Sequence, residues 1–86
     1  MNSRNFDGNL HSDDIIEGAD AGGRSYTNTM GQFFGADFWR LTVSPPKYAR
    51  HTEWRDIKLD GQLVARILIT PGAPVEILAT RDALGL

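Results

Sequence analysis

A chain of 86 residues has room for one domain, and its cysteine count of zero excludes disulfides, thiolate metal sites and a cysteine nucleophile. Small secreted domains usually lean on disulfides, so a reducing, cytoplasmic setting is expected. The net charge of −2 conceals an asymmetry: residues 1–39 carry a net −4, residues 40–66 a net +3, so an acidic beginning precedes a basic middle.

No membrane association is expected. No apolar run is longer than Ile67-Leu68-Ile69, whereas a membrane-spanning helix needs about 20 residues. The opening Met1 to Gly8 has no apolar stretch resembling the core of a signal peptide.

Residues 1–31 hold five of the nine glycines, many Asn, Asp and Ser, and few large apolar side chains. Such a stretch buries too little to offset the entropy of ordering itself. It is therefore expected to be a flexible, acidic, Gly-rich arm ahead of a small mainly-β domain over 32–86. Within the arm, Ser12-Asp13-Asp14-Ile15-Ile16-Glu17 reads as a short helical turn. Ser12 would be its N-cap, with acidic residues in the first turn, and Gly18 and Gly22-Gly23 would end it.

From Asp37 the pattern becomes strand-like, with Trp39, Leu41 and Val43 alternating with Phe38, Arg40 and Thr42. Pro45-Pro46 ends this strand, and a surface loop continues to His51. Thr52–Leu59 and Gln62–Thr70 are two further runs separated by Asp60-Gly61. That dipeptide favours a two-residue hairpin turn, because both turn positions need positive φ. A tight turn would set Ile57 opposite Val64 and Trp54 opposite Ile67. Leu63, Ala65, Ile67 and Ile69 line one face of the second run, while Val64 and Leu68 lie on the other with Arg66 between them, which marks a central strand. After the turn at Pro71-Gly72, a short strand over Val75–Leu78 and one helical turn capped by Thr80 are expected, with a helix from Pro74 onward as the alternative. The fold class is then α+β, mainly β: a three- or four-stranded antiparallel sheet with short helical turns at either end.

Motifs for chemistry are sparse. His11, Asp13, Asp14 and Glu17 offer hard-metal donors, but their spacing matches no defined ligand set, so no metal and no other cofactor is expected. Gly22-Gly23-Arg24-Ser25 lacks the Gly-Lys-Ser/Thr ending of a nucleotide loop and reads as a linker. A Ser or Thr nucleophile would need His11 or His51 as its base, and His51 is flanked by residues that point to opposite faces of a strand. No enzyme and no catalytic residue is expected.

Two surfaces suggest binding. Arg40, Lys47, Arg50, Arg55, Lys58 and Arg66, interleaved with Trp39, Tyr48 and Trp54, have the composition of a surface for single-stranded nucleic acid. Against this, tryptophans in strands are more often core, and the sequence pI of about 5.5 is low for an unaided nucleic-acid binder. The acidic residues Asp13, Asp14 and Glu17 would instead steer the arm onto a protein partner. The reading that follows is a non-enzymatic protein-interaction module, such as a small regulator, inhibitor or assembly factor. A nucleic-acid-binding domain is the alternative. A homodimer is also expected, through an open sheet edge beside Phe33, Phe34 and Phe38.

Overall fold

A computed structural model describes residues 4–45 and 49–85. Along the chain run β1 (Ile15–Ala19), β2 (Ser25–Thr29), α1 (Met30–Phe34), a 3-10 helix (Gly35–Arg40), β3 (Leu41–Val43), β4 (Glu53–Leu59), β5 (Gln62–Ile69), β6 (Glu76–Leu78) and α2 (Arg81–Leu84). The strands form one sheet of six in the order β2-β1-β6-β5-β4-β3. Every neighbouring pair is antiparallel except β1 and β6, which run parallel. The sheet is therefore mixed and larger than the three or four antiparallel strands expected.

The extra strands come from the acidic segment. The helical turn expected over residues 12–17 is instead a turn at Ser12-Asp13 leading directly into β1. Here β1 inserts between β2 and β6 and turns Ile16 into the core, fully buried. The pairing supplies backbone partners on both sides, which outweighs any local helical preference. The sheet thus has no boundary at residue 31: Met30, the first residue of α1, is also fully buried.

The strand expected from Asp37 begins only at Leu41. Residues 35–40 wind as a 3-10 helix that buries Phe38 and carries Trp39 outward. Gly35 has φ of +58°, a conformation that lets the chain leave α1 and start the tighter turn. Of the three rings beside which self-association was expected, Phe38 is core, and Phe33 and Phe34 are half-buried against it.

The hairpin at Asp60-Gly61 forms as expected, with φ of +52° and +82° at the two turn residues. Its register differs by one residue beyond the turn. Leu59 pairs with Gln62 and Lys58 with Leu63, but Ile57 then pairs with Ala65 and Trp54 with Leu68. A bulge at Val64 absorbs the extra residue. An unbroken register would set Ile57 opposite Val64 and split the two apolar series between the faces. The bulge brings Ile57 onto the same face as Ala65, Ile67 and Ile69, where Ile57, Ala65 and Ile67 are all fully buried.

The core lies on one face of the sheet. Ile16, Ile57, Ala65, Ile67, Ile69 and Ile77 project from it, and Met30 and Phe38 pack down onto them with Phe6 and Leu10 from the N-terminal segment. Among the described residues the one helix on the opposite face is α2, four residues long. Thr80 caps it as expected, its hydroxyl accepting from the Ala83 N–H at 3.3 Å. Among the described residues no helix is long and apolar enough to cross a membrane.

Candidate functional site

The N-terminal acidic group is already engaged. Asp14 is 2% exposed. Its carboxylate accepts from Arg4 Nε at 2.7 Å, from Arg4 Nη2 at 2.5 Å and from the His11 backbone N–H at 2.9 Å. This bidentate contact with Asp14 raises the Arg4 guanidinium above its usual range. The Asp7 carboxyl lies below its usual range, chiefly because the Asn9 N–H donates to it at 2.9 Å, with the His11 ring assisting at 2.8 Å. His11, Asp13 and Asp14 do lie close enough for one ion to touch all three. The carboxylate of Asp14, however, is taken by Arg4, and the His11 ring faces Asp7.

Of the three acidic residues read as partner contacts, the structure places each differently. Asp14 is buried, Asp13 is exposed, and Glu17 faces outward from β1 on the side of the sheet away from the core.

The Gly22-Gly23 segment is the β1–β2 turn rather than a linker. The Asp20 carboxylate accepts from the Gly22 and Arg24 N–H groups, both at 2.9 Å. A phosphate would have to compete for those amides with a carboxylate held in place. Neither histidine receives a hydrogen bond from a serine or threonine hydroxyl among the described residues.

Among the described residues, the basic side chains of the middle lie on different faces. Arg40 pairs with Asp37 at 2.9 Å and also with Asp60. Arg55 is buried on the core side and pairs with Glu53. Arg66 faces outward, 3.4 Å from Asp56 and over the Trp54 ring, with 5.4 Å from its guanidinium carbon to the ring centroid. Arg50 is exposed and Lys58 half-buried beside the bulge. Lys47 and Tyr48 lie outside the described residues.

Two apolar grooves lie open among the described residues, and sequence reasoning foresaw neither. Trp39 is 82% exposed, standing edge-on to Phe38 with ring centroids 5.1 Å apart. It borders a groove of about 450 Å³ lined by Phe6, Leu10, Phe38, Leu41 and Val43 along the free side of β3. The only sequence signal for this arrangement was Gly35, which could have marked a break between α1 and the strand. The second feature is a groove of about 700 Å³ on the outer face of the sheet, with Ile15, Leu68 and Leu78 on its floor and Glu17 and Glu76 among them. It depends on the parallel pairing of β1 with β6, which no local pattern announces.

No protein-family model, curated protein or solved structure matches this chain.

Proposed function

We propose that this chain is a non-enzymatic protein-interaction module acting in the cytoplasm, in the manner of a small regulator, inhibitor or assembly factor. One observation carries the reading: a tryptophan 82% exposed, carried on a 3-10 helix beside an apolar groove and the free side of an edge strand. Tryptophan is among the residues that most often dominate binding energy at protein interfaces, because it brings a large apolar area with little conformational freedom to lose. The short strand β3 adds backbone groups that an incoming segment can pair with.

A photo-crosslinking residue at Thr42, exposed on β3 and lining the groove, tests this in the native cell. The expected result is a discrete protein adduct that is lost in the Trp39→Ala variant and absent when the probe sits at the exposed Gln62 instead. Trp39→Ala should leave thermal stability almost unchanged, since exposed substitutions usually cost no more than about 0.5 kcal/mol. An adduct indifferent to Trp39→Ala counts against the reading. Recovery of RNA in place of protein favours the nucleic-acid alternative.

A further inference from the structure

The outer face of the sheet carries a second, chemically different surface. The strand register orders its side chains in two rows. One row runs from Trp54 on β4 through Leu68 on β5 to Glu76 on β6, with Ile15 of β1 next in the parallel register. The other runs from Asp56 through Arg66 and Leu78 to Glu17 and Thr27. Arg66 on β5 lies beside Asp56 of β4, whereas β1 and β6 present carboxylates as their only charged groups on this face. Arg66 is drawn to the β4 side by Asp56 and by the Trp54 ring, and it donates to the Ala83 carbonyl of α2 at 3.5 Å. Glu17 and Glu76 stand diagonally on adjacent strands, two residues apart in register, and neither makes an ion pair among the described residues. Around them lie half-buried Ile15, Leu68 and Leu78, forming the groove of about 700 Å³.

We propose that this groove docks a basic amphipathic helix of a partner protein. Its apolar stripe would pack on Ile15, Leu68 and Leu78, and its Lys or Arg side chains would meet Glu17 and Glu76. Three lines support a helix. The groove lies on a sheet face, where backbone groups are already paired within the sheet, so an added strand finds no ladder there. From β2 to β5 is three strand steps of about 4.8 Å each, about 14 Å in all, and a helix with its side chains is about 10–12 Å across. Residues three or four apart on a helix are about 5–6 Å apart, and the long side chains of Lys or Arg at such positions span the diagonal of about 7–8 Å between Glu17 and Glu76. The chain's own α2 already packs on β5 at this face, and it leaves the β2-β1-β6 side uncovered. The charge sets the sign of the partner: two unmatched carboxylates in an apolar groove select for cations and against an acidic helix.

This inference rests on the protein-contact reading but uses a surface separate from Trp39. The probe is a fluorescent synthetic helical peptide of leucines and lysines, with leucines repeating at helical spacing, read by anisotropy against the folded chain. A second peptide carries glutamate in place of lysine. The expected result is binding of the lysine peptide only, weakened about tenfold by Glu17→Gln/Glu76→Gln at low salt, with the difference shrinking as salt is raised. Glutamine keeps the shape of glutamate, so the fold is retained, and Leu78→Ser should weaken the peptide at every salt concentration. Equal affinity of the two peptides, or of the parent and the double variant, overturns the proposal. Trp39→Ala should leave peptide affinity unchanged. Failure of the groove is therefore read independently of the crosslink at Thr42.

Discussion

The Arg4–Asp14 contact shows how one residue ties the N-terminal segment to the sheet. The Arg4 carbonyl accepts from the Val75 N–H at 3.1 Å, while its guanidinium closes over the carboxylate that precedes β1. Removing Arg4 leaves Asp14, 2% exposed, without its counter-charge. An uncompensated buried charge costs about 3–5 kcal/mol, and the partial exposure of Arg4 moves the expected loss for Arg4→Met to about 2–3 kcal/mol. Urea unfolding checks this, and a loss below about 0.5 kcal/mol would mean that water replaces the guanidinium at no cost. Because the guanidinium is raised by its contact with Asp14, the pair should stay charged to the alkaline limit of stability. Asp7 behaves oppositely. Its carboxyl is lowered in the fold, first by the Asn9 N–H and then by the His11 ring, so its contribution is full above the usual carboxylate range and fades as pH falls through the lowered value. Asp7→Asn should flatten the decline of the melting temperature below about pH 4. The effect should be small, because the side chain is half exposed to solvent. Parallel acid limbs for parent and variant would show that other carboxylates dominate there.

At the scale of elements, the Asp60-Gly61 turn is the most sharply specified feature. With φ of +82° at Gly61, a β-branched side chain is forced into a left-handed conformation that costs about 1–2 kcal/mol. Gly61→Val should lower the melting midpoint accordingly, and an unchanged midpoint would mean the loop rebuilds without positive φ. This turn was legible because its chemistry is local: two adjacent residues carry the whole signal. The same holds for Thr80 as the cap of α2 and for β5 as a central strand, apolar on both faces. The bulge at Val64 was not legible from the turn alone, although the parity of Ile57 against Ala65, Ile67 and Ile69 contains it. The strands β1 and β2 were hidden for a different reason. β2 reads Ser-Tyr-Thr-Asn-Thr, with no apolar alternation, and β1 is stabilised by pairing with β6, about sixty positions away in sequence. The two open surfaces inherit this opacity, since Trp39 follows the 3-10 helix and the outer groove follows the β1–β6 pairing.

For the whole molecule, the acidic segment is structural rather than appended. Among the described residues of 4–31, three carboxylates are used within the segment itself: Asp7 and Asp14 with Arg4, Asp7 with His11, and Asp20 with its own turn. No carboxylate of residues 4–31 forms an ion pair with the described basic residues of the middle. What joins the segment to the rest is backbone pairing and apolar contact: β1 against β6, and Ile16 and Met30 in the core, both fully buried. Burying one such side chain is worth about 1.5–3 kcal/mol, and a domain of this size holds only about 5–10 kcal/mol in total. Deleting residues 1–31 should therefore leave residues 32–86 without a cooperative fold, with a collapsed amide spectrum and no thermal transition. Adding a synthetic peptide of residues 1–31 should restore the transition in proportion to its concentration, by mass action. Because the join is apolar, that recovery should survive high salt. A segment held to the basic middle by charge alone would be released as salt screens it, so loss of complementation in salt, or a cooperative melt of residues 32–86 on their own, would show the join to be electrostatic or dispensable.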